Sequence, residues 1–457
     1  MLRHLAACLL IFAGMSLQLQ AQPPQPGPIS WKRTVLDNKF RSEGCAVADV
    51  NKDGKNDILV GEYWYEAPEW KRHEMQSPGN YGDGQRGYSK VFFCWPEDLN
   101  HDGWIDLIVI DFPGAPCYWL ENPKGQTGHW KRHQIWHSAC NETPQYVDLF
   151  GKGKKVLIMG FQPKDKPGVD NEGQMAWFTP SKDPFAPWEM HPISEPSIPP
   201  ELKDGKVVPR TGKMIPGTQK FSHGLGVGDL NNDGRLDVLC TGGWWEQPEQ
   251  SETKGAWKFH AANLGPACAD MHVLDIDNDK KADVISTSAH QFGIWWHKQR
   301  GDGAFERRDL FPHYMSETHA AHFIDIDGDG MKDLVTGKRW WSHGRNEPGS
   351  DWPSMIYWFK AKKSKDGMID FTPYIIDSDS GVGTQFTIAD VNGDGLLDVV
   401  ISNKKGVYFH EQVKKYTQTS AADKDRPSVV NPQTGTLEYS LPRKQSLLDR
   451  LFRKRSK

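Results

Sequence analysis

Residues 49–57 read DVNKDGKND, and the reading of this stretch decides the fold. The same pattern, Asp-x-(Asn/Asp)-x-Asp-Gly-x-x-Asp, returns as DLNHDGWID at 98–106 and DLNNDGRLD at 229–237. It returns again as DIDNDKKAD at 275–283, DIDGDGMKD at 325–333 and DVNGDGLLD at 390–398. A worn copy, DLFGKGKKV, stands at 148–156. Self-similarity at this spacing predicts a repeat architecture, in which each unit buries its apolar face against the next.

Each copy is led in by a short alternating or apolar run and led out by a β-branched one, such as DVISTS from Asp283. Such runs are strands. Flanking strands separate the pattern from an EF-hand, which has flanking helices and a Glu at loop position 12. Here that position holds Val60, Val109, Cys240, Ser286, Thr336 or Ile401. A third, aromatic segment follows (YWYEAP, CYWLENP, MAWFTP, GWWEQP, GIWWHKQ, MIYWFKA, GVYFHEQ), then a fourth that opens on an aromatic, such as WKRHEM from Trp70 or WKRHQIW from Trp130. The last unit lacks its fourth segment, whereas WKRTVL from Trp31 stands unassigned near the start. The expected fold is therefore all-β, a seven-bladed β-propeller over roughly 30–413 whose ring the N-terminal strand closes, removing an exposed sheet edge. The 19 Trp residues fall mostly at corresponding positions, where they are expected to pack blade on blade. Trp244 and Trp340 are the ones expected nearest a ligand.

The 457 residues carry a formal net charge of −4, with 25% charged and 37% hydrophobic residues. That balance offers no basic surface for nucleic acid, and no apolar run is long enough to span a bilayer. Arg3 and His4 precede an apolar stretch from Leu5 to Leu17, with Ala21 before a cleavage point. Residues 1–21 thus read as a signal peptide, 22–413 as the propeller and 414–457 as a disordered tail with a basic end. The expected location is secreted or periplasmic. Six cysteines remain beyond Cys8. In an oxidising compartment some can pair, Cys117 with Cys140 first among them, or all six can be buried thiols.

Positions 1, 3, 5 and 9 of the loop offer carboxylate or amide oxygens, and the glycine at position 6 permits the turn that points them inward. The expected Ca2+ ligands are Asp49, Asn51, Asp53 and Asp57; Asp98, Asn100, Asp102 and Asp106; and Asp229, Asn231, Asp233 and Asp237. Asp275, Asp277, Asp279 and Asp283, then Asp325, Asp327, Asp329 and Asp333, then Asp390, Asn392, Asp394 and Asp398 complete the set. Lys280 replaces the glycine in the fifth blade, which weakens that site, and the third blade is expected to bind nothing. The calcium is structural, a staple within blades.

With its flanking strands, the loop resembles the FG-GAP/VCBS-repeat propellers, a group that includes integrin alpha-chain heads. SHGLGVGDLNNDGRLD with GWWEQP, ADMHVLDID, ETHAAHFIDIDGDG and TGKRWWSHG resemble a bacterial secreted family related to the propeller part of aldos-2-ulose dehydratase. That enzyme type removes water from keto-sugars and also carries cupin domains; the resemblance here is confined to the propeller.

Strand order places first-strand starts and second-to-third loops on the rim opposite the Asp loops. Counting six residues back from each loop gives Glu43, Phe92, Glu142, His223, Ala269, His319 and Thr384. Counting three back gives His272 and His322 among others, and the second-to-third loops add His290, Lys338, Arg339, Lys404 and Lys405. The insertions 163–173, 194–220 and 342–354 fall on the same rim, as binding-face insertions do. The expected site is a His/carboxylate centre at the channel mouth for Zn2+ or another divalent ion. Its candidate catalytic residues are His223, His272, His319, His322, Glu43, Glu142, Lys338 and Arg339. Taken with the resemblance, this implies a lyase or dehydratase acting on a carbohydrate partner: a His or Glu abstracts the proton beside a sugar carbonyl, and Lys338 and Arg339 steady the enolate. The alternative is a non-catalytic extracellular binding or adhesion module.

Overall fold

The computed structural model describes residues 29–164, 173–199, 201–204, 206–208, 211–249 and 255–413. The expected leader 1–21, the tail 414–457 and most of the 163–173 insertion lie outside the described residues.

Seven four-stranded antiparallel sheets follow one another around a ring. Blade 1 is typical: Cys45–Ala48 leads down to the Asp loop, Asp57–Val60 returns, and Tyr63–Glu66 and Lys71–Glu74 finish the sheet. Blade 7 takes Phe386–Ala389, Asp398–Asn403 and Gly406–Val413 from the end of the propeller and Ser30–Asp37 from its start. Their register runs from Ser30 opposite Val413 to Asp37 opposite Val407. The ring is closed as the unpaired WKRTVL segment implied. Among the described residues there is no α-helix, only a 3-10 turn at His343–Arg345.

The core is divided by seam. Seven hydrophobic clusters are present, one between each pair of neighbouring blades. The second strands are buried along their whole length, as in DLIVI at Asp106–Ile110 and DVIST at Asp283–Thr287. Both faces of such a strand meet a neighbouring blade, so its sequence is an apolar run and not an alternation. First strands of adjacent blades touch one another, which puts them around the axis.

The repeated aromatics act locally. Trp64, Trp119, Trp177 and Trp244 each stack on the histidine opposite them on the fourth strand, with ring centroids 4.2, 4.5, 3.8 and 4.1 Å apart. Trp244 is thus only 8% exposed and belongs to the blade packing, contrary to expectation. All six described cysteines are unbridged buried thiols, Cys117 and Cys140 included. Cys45, Cys94, Cys117, Cys240 and Cys268 sit in seams where apolar packing already holds the blades.

Candidate functional site

The non-loop rim carries a group of histidines that no repeat explains. His223 precedes the first strand of blade 4, His290 lies in the second-to-third loop of blade 5, and His319 precedes blade 6. Their candidate ligand nitrogens all lie within 4.8 Å of one another. His223 Nδ1 donates to the Phe221 carbonyl at 2.8 Å. His290 Nδ1 pairs with Glu347 Oε1 at 3.0 Å. Both contacts fix a tautomer and leave Nε2 free, the arrangement by which outer-shell partners orient metal-bound imidazoles.

His319 is 2% exposed, and neither of its ring nitrogens has a partner. Burial, then Arg339 and the neighbouring imidazoles, hold its pKa well below the usual histidine value, so the ring is neutral. Burial with the nearby His223 and His343 pushes His290 down to about 4. For His223, burial lowers the pKa, but Glu142 and the Phe221 carbonyl together outweigh it and leave the pKa raised. Glu142 Oε2 stands 3.3 Å from His223 Nε2, without hydrogen-bond alignment. With the Nδ1 proton already committed, a neutral His223 turns a lone pair toward a carboxylate. That juxtaposition calls for a cation between or beside them, either a proton or a metal ion.

Two buried ion pairs frame the group. Arg339 Nη2 reaches Glu43 Oε2 at 3.3 Å, and Lys404 Nζ stands 3.9 Å from Glu43 Oε1 and over the Tyr88 ring. Burial lowers Lys404 to about 8. Lys338 is not free to steady an enolate. Its ammonium is held by Glu317 at 2.5 Å and by the Arg339 carbonyl at 3.0 Å. Glu317 Oε1 in turn accepts from Ser342 and Ser350, each at 2.6 Å. The Lys338–Glu317 pair therefore straps down the 342–354 insertion, which carries His343 and Glu347 onto His290.

Phe221, Glu317 and His343 adopt φ of 64°, 53° and 41°, a conformation that other non-glycine residues of the chain, such as Lys52 and Asn232 in the Asp loops, also adopt. Beside the group stands an aromatic shelf. Tyr88, Phe112 and Phe221 follow one another at 5.5 and 5.4 Å between centroids, and Phe221 is 39% exposed.

Of the expected catalytic residues, the structure gathers His223, His319, Glu43, Glu142 and Arg339 at the mouth. It adds His290, which was visible only as a rim residue, and His343 and Glu347, which lie in an insertion outside the repeat register. His272 and His322 lie deeper, on first strands. Their Nε2 atoms meet the Ala321 and Phe386 carbonyls of the next blade at 3.2 and 2.8 Å, so they brace neighbouring blades. Below the mouth, Gln145 reaches across blade 4 to Asp270 at 3.0 Å, and Gln385 spans blade 1 to Cys94 at 2.9 Å. These bonds cross the axis beneath the mouth. Trp340 lies on this rim beside Trp341 and Arg345.

On the opposite rim the Asp loops are self-organised. The position-1 carboxylate accepts the N–H groups of positions 5 and 6, as Asp49 does from Asp53 and Gly54 at 3.2 and 2.9 Å. The position-9 carboxylate is buried and, Asp333 excepted, accepts two more; Asp57 takes Val50 at 3.1 Å and Ala67 at 3.0 Å. Position 9 therefore braces the loop to the third strand whether or not a cation is bound. Each such oxygen keeps a second lone pair, and the oxygen-only donor set fits a hard cation such as Ca2+.

Residues 275–336 match the family model of the FG-GAP-like repeat. The match runs from the fifth Asp loop into the second strand of blade 6. No curated protein matches the sequence. Among solved structures, the chain is similar to an Agrocybe aegerita lectin that recognises non-reducing terminal N-acetylglucosamine, at 14% identity over 84% of this chain and 86% of that one, with a TM-score of 0.39. It is also similar to rhamnogalacturonan lyase YesW, at 12% identity over 87% and 76%, TM-score 0.36. A third similarity is to the V. cholerae biofilm matrix protein Bap1, at 14% identity over 74% and 41%, TM-score 0.29. Likeness of this degree says nothing of chemistry.

Proposed function

We propose that the protein is an exported, calcium-braced propeller whose mouth binds one divalent transition-metal ion and removes water from a keto-sugar. The observation that carries this reading is His319, a buried neutral imidazole with both nitrogens unpartnered, facing His223 and His290. Buried polar groups are almost always satisfied, so an orphan flanked by two oriented imidazoles points to a missing ligand. Three nitrogen donors with an open fourth position suit Zn2+ or a similar ion. Export is supported by the apolar stretch Leu5 to Leu17 behind Arg3 and His4. The keto-sugar rests on the sequence resemblance and on the aromatic shelf, against which a sugar ring can stack.

A divalent ion held by His223, His290 and His319 would supply Lewis-acid polarisation of the sugar carbonyl. Glu142, 3.3 Å from His223 Nε2 at the edge of the histidine group, takes the proton from the carbon beside that carbonyl. The electron pair passes to the carbonyl oxygen, where Arg339 steadies the charge. Collapse of the enolate expels the β-hydroxyl, which leaves with the proton from Glu142 as water. The exposed Phe221 shelf supports a second reading equally well, a non-catalytic carbohydrate-binding module.

The test is metal content and turnover of the purified chain beside His319→Ala. The expected result is one transition-metal ion per chain in the wild type, none in the variant, and an ultraviolet-absorbing unsaturated carbonyl product formed only by the wild type. Retention of the metal by His319→Ala refutes the centre. Metal loss with no turnover of keto-sugars by either protein leaves the binding module.

A further inference from the structure

The six Asp loops that keep all four oxygen positions fall into two kinds, and the division follows two positions together. Position 3 is Asn in blades 1, 2, 4 and 7 (Asn51, Asn100, Asn231, Asn392) and Asp in blades 5 and 6 (Asp277, Asp327). The third-strand residue just before the one that braces the position-9 carboxylate is Glu in the first group (Glu66, Glu121, Glu246, Glu411) and Lys in the second (Lys298, Lys360). No blade mixes the two pairs. The third blade, with Phe150 and Thr179 at these places, has neither.

The contacts explain the pairing. In blades 1, 2, 4 and 7 the Asn side chain accepts the position-5 N–H, at 3.0 to 3.1 Å. The Glu stands alongside, 3.5 Å from Asn51 in blade 1 and 3.4 Å from Asn392 in blade 7. In blades 1, 2 and 4 that Glu is also held at 2.6 to 2.8 Å by the histidine stacked on the blade's Trp. In blades 5 and 6 the lysine ammonium instead lies between the carboxylates of positions 3 and 5. Lys298 pairs with Asp277 and, at 3.0 Å, with Asp279; Lys360 pairs with Asp327 and, at 2.6 Å, with Asp329. Other basic residues touch these loops differently. Lys124 reaches Asp102 at 3.1 Å with its side chain 52% exposed, Arg235 and Lys281 reach only position 5, and none of the three touches position 3.

We infer that Lys298 and Lys360 are built-in replacements for a divalent cation, so that calcium enters blades 1, 2, 4 and 7 and is excluded from blades 5 and 6. This rests on the calcium-braced reading above. Across the two positions the exchange from Asn with Glu to Asp with Lys raises the local charge from −1 to 0. It also sets an ammonium against the oxygens a cation would need. A fixed like charge within contact distance opposes a second cation at that place.

Calcium per chain, measured by native mass spectrometry on the full chain with the mouth saturated by zinc, decides the matter. Four calcium ions are expected. Asp279→Ala is expected to leave that number unchanged and Asp394→Ala to lower it by one, whereas Lys298→Glu combined with Asp277→Asn raises it by one. Five or six ions in the wild type overturn the inference alone. No calcium at all overturns the calcium reading with it. If the double variant fails to fold, the wild-type ratio decides without it.

Discussion

The two rims of the ring are built on opposite logics. The loop rim repeats one oxygen-rich turn around the circle, and each copy is locked by the same backbone contacts. The mouth rim gathers nitrogen donors and buried charges from blades that share no motif there, with an insertion strapped over them. What repeats is what holds the fold; what departs from the repeat is where buried titratable groups collect. The rims should therefore respond differently to single substitutions, since a unique contact has no second copy to fall back on.

The largest effect is expected at the strap. Lys338→Met leaves Glu317 buried with two serine donors and no counter-charge, and breaking a buried pair from one side costs about 3–5 kcal/mol. Chemical denaturation checks this, and a loss below about 1 kcal/mol shows that the strap is dispensable.

Next comes a seam. His297 is fully buried at a place where other blades carry Tyr65, Trp245 or Phe359, and burial, with Arg307 adding, lowers its pKa to about 4. Its folded value lies below its unfolded value of about 6.5, so the unfolded state binds more protons between the two. Stability is therefore expected to fall as pH drops from about 6.5 to 4, by about 3 kcal/mol from this group. His297→Phe should flatten that part of the pH profile; an unchanged slope assigns it elsewhere.

Glu347→Gln keeps the shape of the contact to His290 but removes its charge. Losses of about 10–100-fold in metal affinity are typical for such outer partners. Zinc titration of the variant reads this directly, and an unchanged affinity removes Glu347 from the centre. The smallest effect belongs to the loop rim. His73→Phe preserves the stack on Trp64 and frees only Glu66, so about 1 kcal/mol or less of stability is expected to go, together with weaker calcium in blade 1 alone. A cooperative loss of all bound calcium would show that the loops are not independent.

Much of this was legible in the chain. The strand runs around each Asp loop give the blades, and the stranded WKRTVL segment gives the closure, because both depend on local pattern and count. Counting back from the loops also leads to His223, His319, Glu43 and Glu142, since first strands have nearly constant length. His343 and Glu347 escape that count because an insertion has no register. His272 and His322 pass the count yet bond to the next blade, since spacing gives position along a strand and not what stands opposite. Lys338 reads as a rim cation, but its partner Glu317 lies two residues before His319, where nothing in the sequence marks a turn with positive φ. The lysines of blades 5 and 6 stand in plain view in GIWWHKQ and MIYWFKA. Only the strand pairing shows that they point at the loops.

The closing sheet also sets an order of events in time. Ser30 pairs with Val413, so the strand made first has its partner only when the propeller is otherwise complete. At about 5–20 residues per second of synthesis, that strand waits roughly 20–75 s. Until then the N-terminal strand is the only strand of blade 7 that exists, and its free edges are ones on which another copy could dock. The quiet seam of the finished ring is thus the hazardous step of its biogenesis, where a chaperone would matter most.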